Sequence, residues 1–482
     1  MSFGLEACVR VVLAGSLMGV AAGCAPYVGT PRGSDTPLSP ARMMERWQTL
    51  AGEAQTGPLT LERAIQEALA ASPDLRQIEE RLSAASEQVR QAEAAFYPRV
   101  LFSEEFSITD NPVFAFMQML NQRKLAFSMD FNDPGVHQNV SSKLQAEWPI
   151  FEAGARLHKR QAAIDQKDSV AFELLAAKNR LVASVTEAYL RWLQSLAFLD
   201  VAQRALESAR MDQQLGEARL RAQVALPSEV LRLKSRTAEA EGNRVTANSG
   251  ARRLQAALER LLARPISNEE VPSPEIVIGS SEAPERDGDV GQLLAKALEQ
   301  RPEVAAARSL ILAARERVKA ARAELFPKIG ARAQYSWDSE EFKGGGQSWL
   351  GALQASWPLF QGGVTLSRIR EAASRLREME ARGEQVALDV ALEVHQAVLG
   401  VEESKLKVEV ASRRRDYARG ALEEVRRQYS QDVVTVDALL HAELEWHRAE
   451  VALVAAVFEQ RIAQAALKQA LGEFARWMEV GL

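Results

Sequence analysis

The chain is written nearly twice. Pro73 and Pro302 lie 229 positions apart, and so do Pro98 and Pro327. The first pair sits in Ser-Pro-Asp-Leu and Arg-Pro-Glu-Val, the second in Phe-Tyr-Pro and Leu-Phe-Pro. Glu147-Trp148-Pro149-Ile150-Phe151 returns as Ser356-Trp357-Pro358-Leu359-Phe360 after 209 positions, and Ser228-Glu229-Val230-Leu231 as Val436-Asp437-Ala438-Leu439 after 208. The fall in offset places a longer segment between landmarks in the first copy. A repeat of about 200 residues is too long for a solenoid unit. It marks duplication of a half-molecule, so any function must be compatible with pseudo-symmetry.

The repeats fix the organisation: residues 59–264 form the first, 289–482 the second, and the Pro, Ser and Glu-rich stretch 265–288 links them. With 482 residues, 47% hydrophobic and 26% charged, the chain can bury several cores. A net charge of -5 with both signs interleaved offers no basic field for nucleic acid. The two cysteines, Cys8 and Cys24, leave the body of the chain without a disulfide or thiolate metal site.

The N-terminus reads as a targeting segment. Val11 to Ala22 is apolar but too short to span a hydrocarbon core of ~30 Å, and it is preceded by Arg10 and followed by small residues. Residues 1–23 are expected to be a signal peptide. Ala21-Ala22-Gly23-Cys24 resembles a bacterial lipoprotein cleavage site, which makes Cys24 the candidate lipidated residue. Residues 24–58, rich in Pro, Gly and Ser, then form a tether.

Within each repeat the hydrophobic period changes. Helical periodicity runs from Leu59 to about Phe96, with Thr60 as a cap and an interruption at Pro73, and Pro98 stops it. Val100, Phe102, Phe106 and Ile108 then face one way, with Glu104 the exception, while Ser103, Glu105, Ser107 and Thr109 follow Leu101 on the other, a period of two that predicts a strand with one mainly apolar face. A second strand precedes Pro149. The second repeat offers equivalents at Ile329–Trp337 and Ser348–Trp357. The connecting loops are 111–138 and 338–347, the first carrying the apolar run Pro112 to Met117 and then Phe127, Met129 and Phe131. Leu157 to Leu226 has no proline and a single glycine, Gly216, enough for a helical rod of roughly 100 Å. Val185, Tyr189, Trp192, Leu196 and Leu199 step along it by fours and threes, the seam of supercoiling helices. Arg368 to Tyr429 repeats it, and each rod turns and returns as a shorter helix.

Four strands of about ten residues, each with one apolar face, have the length and alternation of transmembrane β-strands. Four cannot close a barrel, and open edges in lipid cost several kcal/mol per unpaired backbone group. Such a chain must oligomerise to eight, twelve or sixteen strands, with Trp148, Trp337, Trp349 and Trp357 suited to interfacial girdles. A soluble four-stranded sheet packed on helices would also satisfy the alternation.

The duplicated order of helix, strand, strand and long hairpin has Trp148-Pro149-Ile150-Phe151-Glu152-Ala153-Gly154 and Trp357-Pro358-Leu359-Phe360-Gln361-Gly362-Gly363 at its junctions. This arrangement resembles the TolC-like outer membrane efflux protein family over roughly Leu59 to Gly472. The resemblance implies a mainly α fold with a small transmembrane β part. Three chains of duplicated halves would build a trimeric 12-stranded β-barrel continuous with a long α-helical barrel. It further implies a passive outer membrane channel of a tripartite efflux or type I secretion system, in a Gram-negative outer membrane and extending into the periplasm. Its partners would be a periplasmic adaptor and an inner-membrane pump.

Alignment of the turns with the family places Glu229 and Asp437 at an acidic position near the periplasmic gate. The turns Val224, Ala225, Leu226, Pro227, Ser228 and Gln431, Asp432, Val433, Val434, Thr435 become docking candidates for adaptor or pump. A periplasmic adaptor with a coiled-coil hairpin is the alternative, but it would need one hairpin flanked by β-domains. No catalytic motif is found, and the histidines His137, His158, His395, His441 and His447 form no metal-binding pattern. No cofactor is expected, and Met117, Met119 and Met129 read as packing or membrane-contact residues.

Overall fold

The structure, a computed structural model, describes residues 57–126, 130, 132–272, 289–341, 345–431 and 433–474. Cys24, Phe127, Met129, Phe131 and Asp432 lie outside the described residues. In chain order the elements are α1 (Leu61–Ala71), α2 (Pro73–Ala94), β1 (Arg99–Thr109), α3 (Pro112–Asn121), β2 (His137–Phe151), α4 (Ala155–Arg221) and α5 (Pro227–Leu262). After a 3-10 turn at Asn268–Glu270 follow α6 (Val290–Gln300), α7 (Pro302–Ala323), β3 (Lys328–Ser339), β4 (Gly346–Ser356), α8 (Val364–Ser430) and α9 (Val436–Ala470).

The duplication is visible in the helix lengths. α1 and α6 each have 11 residues, α2 and α7 each have 22, α4 and α8 each have 67, and α5 and α9 have 36 and 35. Local chemistry sets the boundaries. The Thr60 hydroxyl accepts from Arg63 N at 3.3 Å to start α1, and the Ser72 hydroxyl accepts from Leu75 N at 3.3 Å to start α2. Pro73 and Pro302 open their helices at a position where the missing N–H costs nothing.

The long helices pack along their lengths, α4 against α5, α7, α2 and α9, and α8 against α9, α7 and α6. Val185, Tyr189 and Trp192 of the expected seam are buried, and Leu196 and Leu199 are half-buried. The Tyr189 hydroxyl donates to Leu59 O at 2.8 Å and ties the start of the first repeat to its rod. Small residues permit close approach: Ala162, Ala176 and Ala183 are buried on α4, and a Cβ at Gly216 would collide with Leu233 on α5. A second cluster joins Ala297, Val304, Val390, Val394, Val398, Ala470 and Leu471 from α6, α7, α8 and the end of α9.

The four strands form one antiparallel sheet in the order β1-β2-β3-β4, with β2–β3 pairing across the two repeats. β2 runs past Pro149, where the sequence suggests a stop. Pro149 pairs opposite Gly330 and the register shifts before Phe151, so a local irregularity accommodates the missing donor.

The strand-to-helix junctions are built alike in both halves. Gly154 and Gly363 each adopt φ 84, a left-handed value that lets the strand direction break into a helix. The preceding residues, Ala153 at φ 50 and Gly362 at φ 60, share that region. Trp148 Nε1 donates to Phe96 O at 3.0 Å and Trp357 Nε1 donates to Leu325 O at 3.0 Å. These carbonyls lie where α2 and α7 give way to a strand, so each Trp-Pro motif staples the end of one helix to the start of the next. Trp357 accordingly lies beyond β4, which ends at Ser356.

Arg264–Glu270 belongs to a second, small unit. There the Arg264 guanidinium grips the fully buried Glu270 carboxylate in a bidentate pair at 2.9 and 2.8 Å.

Candidate functional site

Strand register sorts the sheet into two chemically different faces. Ser107, Asn139, Ser141, Lys143, Gln145, Gln334, Ser336 and Asp338 share one face with Ser348. They bond across strands: Gln145 to Gln334 at 3.0 Å, Asn139 to Asp338 at 3.0 Å and Ser336 to Ser348 at 2.7 Å. The opposite face carries Val100, Phe102, Phe106, Leu144, Trp337, Trp349 and Leu353, of which Trp349 is 81% and Leu353 76% exposed. Glu104, which accepts from the Ser142 hydroxyl at 3.5 Å, interrupts this face; the rest of its surface is mainly apolar and suits lipid, with the polar face toward water. β1 and β4 have a strand neighbour on one side only, leaving two rows of backbone groups for an outside partner.

At the far end of the rods the two hairpin turns are closed by backbone bonds. Val224 N donates to Arg219 O at 3.0 Å and Val433 N donates to Gln428 O at 2.9 Å. Gln223, at φ 63, takes the left-handed place that glycine commonly fills after a helix. Leu226 caps α5 with Pro227 as its first residue and Ser228 follows in the same turn, while Thr435 caps α9. The turns present apolar side chains to solvent: Val224, Leu226 and Val433 are all exposed by more than half. Ala225 and Val434 are half-buried beside exposed residues, and Gln431 follows the end of α8.

Glu229 and Asp437 occupy equivalent places in the first turns of α5 and α9. They differ in company. Asp437 forms an ion pair with Arg232 of α5, whereas Glu229 has no ion-pair partner among the described residues. The Arg219 guanidinium stands 5.0 Å from the Tyr429 ring. An ion pair and a cation–π contact therefore join the two hairpins at their tips.

Above the tips lies a polar layer around the buried Glu443, not identified by sequence reasoning. Arg426 on α8 donates to Glu443 of α9 at 2.8 Å and to Ser208 of α4 at 2.9 Å, and Glu443 is 2% exposed. Asp212 of α4 faces Glu443 and has a buried Oδ2 without a donor. Two carboxylates can hydrogen-bond only by sharing a proton. Burial, then the proximity of Glu443, push the Asp212 carboxyl up to about 7, against the opposing pull of Arg426. Burial pushes the nearby His447 imidazole down to about 4. In sequence these residues look like ordinary charges on a solvated rod. No motif distinguishes them, because the layer draws on three helices.

Among the described residues no group of three or more His, Cys, Asp and Glu side chains could hold a metal ion, and no helix is long and apolar enough to cross a membrane. The histidines serve locally: His137 contacts Pro134 O at 2.8 Å and His158 pairs with Glu316 at 2.7 Å. His395 and His441 are exposed and His447 is packed.

The family model for outer membrane efflux proteins matches residues 64–264 and 293–473, the two halves of the same sheet and hairpin system. The chain belongs to the outer membrane efflux protein family. It is 28% identical over 424 residues to Protein CyaE of Bordetella pertussis, covering 87% of this chain and 85% of that protein. Its fold is similar to the open state of the MtrE outer membrane channel of Neisseria gonorrhoeae, with a TM-score of 0.71 at 21% identity over 93% of this chain and 98% of that one. It is also similar to the outer membrane protein VceC of Vibrio cholerae, with a TM-score of 0.70 at 20% identity over 86% and 96% of the two chains. The protein is thus an outer-membrane channel for efflux or secretion that extends into the periplasm. It is not an adaptor, and its family is one of channel proteins.

The Asp212 site makes stability depend on pH in a definite sense. Its folded-state value lies above the ordinary 3.8, so the folded state holds more protons between about pH 4 and 7 and loses stability as pH rises through that window. His447 acts oppositely, weakening the fold as pH falls from 6.5 toward 4. Asp212→Asn imitates the protonated acid. It is expected to raise the free energy of unfolding at pH 8 by on the order of 1–2 kcal/mol after allowing for partial solvent screening, and to change it little at pH 5. An equal effect at both pH values would contradict the shared proton.

Proposed function

We propose that three copies of this chain close a twelve-stranded barrel in the outer membrane, and that their hairpins continue it as a helical conduit through the periplasm. The observation carrying this reading is a sheet that is apolar on one face and open at both edges. Open edges cannot remain in hydrocarbon. Two copies would give eight strands, whose interior side chains fill; three is the smallest number that leaves a lumen. The polar face, with Lys143, Gln145, Arg332 and Gln334, would line it.

The conduit is passive. Export through it would be driven by an inner-membrane pump, coupled through a periplasmic adaptor that docks on the hairpin turns. The exposed apolar residues Val224, Leu226 and Val433 support docking there, and Asp432 of the second turn lies outside the described residues. The periplasmic entrance would be held by the Arg232–Asp437 tie, with Glu229 as the unpaired counterpart. Both partners of the tie are more than half exposed, so it contributes at most about 1 kcal/mol. A contact of that strength closes the entrance reversibly. Cys24, within the stretch outside the described residues, would carry the lipid anchor.

Closure is tested by disulfide trapping. With Cys24→Ala as background, Ser103→Cys on β1 is combined in turn with Ser348→Cys, Ala352→Cys or Gln354→Cys on β4, all on the polar face. Oxidation is expected to produce a covalent ladder ending at three chains. A ladder ending at two or four would contradict the assembly.

The entrance is tested in planar bilayers. Arg232→Ala should raise conductance and cation selectivity by releasing three carboxylates, whereas Asp437→Asn should lower cation selectivity. Both effects should shrink at 1 M salt, where the Debye length is about 3 Å. If both variants match the parent while Glu229→Gln is also silent, Asp437 is only a favourable residue at a helix start.

Lipidation is tested by labelled fatty acid in cells. The parent should incorporate label and Cys24→Ala should not; equal incorporation would remove the anchor from the account.

A further inference from the structure

Helix α3 occupies what the sequence presents as a loop. Its Asn111 side chain accepts from Val113 N at 3.0 Å and Phe114 N at 3.3 Å, and Pro112 is its first residue. The helix lies on the polar face of the sheet. Gln118 Nε2 donates to the Ser107 hydroxyl at 3.1 Å. Gln122 Nε2 donates at 2.9 Å to Gln138 O and to Asn139 Oδ1, and Asn139 passes the chain on to Asp338. A Cβ at Gly346 would collide with the Asn121 carbonyl, so helix and strand backbones are in direct contact there. Ser107, Asn139, Asp338 and Gly346 all sit at the end of the sheet away from the elbows.

The helix has two apolar sides. Ala115 and Met119 are 0% and 4% exposed and continue to Gln122 at 6%, which fixes the side against the sheet. The opposite side is Val113 at 69%, Met117 at 50% and Leu120 at 43%, flanked by Phe114 at 64%. An isolated polar lumen has no use for such a stripe. We propose that the stripes of three α3 helices meet on the barrel axis and form a hydrophobic constriction at the outer mouth. The inference rests on the trimeric barrel proposed above.

Size makes the encounter unavoidable. Twelve strands about 4.8 Å apart and tilted about 40° enclose a backbone diameter of about 24 Å. Three helices each about 10 Å wide need an enclosing circle of about 22 Å. Helices standing along the inner wall come within about 2 Å of one another, close enough for their side chains to meet, and the side each turns away from the wall is its apolar stripe. Each stripe is covered by two other copies of itself. A ring of this kind blocks ions and water by dewetting, so the channel closes at the outer mouth independently of the periplasmic entrance. The anchoring glutamines keep each helix in place, while the apolar contact between copies, which is non-directional, can part around cargo.

Cross-linking decides the matter. Met117→Cys and Leu120→Cys are made separately in the Cys24→Ala background and treated with a bis-maleimide of about 8 Å span in intact outer membranes. Gln145→Cys, on the barrel wall, is the control. Trimer assembly is read independently from the β1–β4 disulfide ladder, which separates failure of the barrel from failure of the mouth. A two-chain product at Met117 or Leu120, absent at Gln145, is expected. An intact trimer that yields no two-chain product at either position would mean that the helices stand apart and the mouth is open.

Discussion

Everything in this molecule answers to the unpaired backbone groups on β1 and β4. In water an open edge is merely a hazard of aggregation; in lipid each unpaired group costs several kcal/mol. A four-stranded sheet with an apolar face therefore cannot be a finished object. That requirement explains why the β part contributes so little of each chain, and why the two repeats meet through β2–β3 in the middle of the sheet, leaving both free edges for neighbours. In the proposed trimer a protomer is one third of a wall.

The elbows transmit this wall into the periplasmic rods. Strand and helix meet where Gly154 and Gly363 take the same left-handed backbone, and where Trp148 and Trp357 donate to equivalent carbonyls. Beyond the elbows the rods vary in firmness. Buried Val185 and Trp192 and the alanine-rich contacts hold the middle, and the Arg426–Glu443 pair, with Asp212 beside it, ties the lower part. At the tips the exposed Arg232–Asp437 pair and the Arg219–Tyr429 contact join the two hairpins. The opening proposed at that end needs ties weak enough to part where movement occurs.

Most of this architecture was legible in the sequence. Period-two alternation located all four strands, Thr60 and Pro73 marked the starts of α1 and α2, and the repeat supplied the pairing of halves. Less legible were features that depend on three-dimensional neighbours. The α3 helix was hidden by a short apolar run that periodicity cannot assign, although Asn111-Pro112 carried the cap and first-turn signal. The extension of β2 past Pro149 depends on an irregular register opposite Gly330, which only the pairing reveals. At the tips, alignment brought forward Asp437 and Glu229, but nothing marked Arg232 as the partner of one and not the other. The Asp212–Glu443–Arg426 layer was invisible because charges on three separate helices carry no shared spacing.

The central claim is that the sheet is completed by two further copies. Cryo-electron microscopy of the protein extracted from outer membranes and held in lipid nanodiscs tests it most directly. The account predicts a particle with threefold symmetry, in which β1 of each copy pairs with β4 of the next around a single twelve-stranded barrel. A particle of any other symmetry, or a trimer whose β1 and β4 edges are not paired with each other, would contradict it.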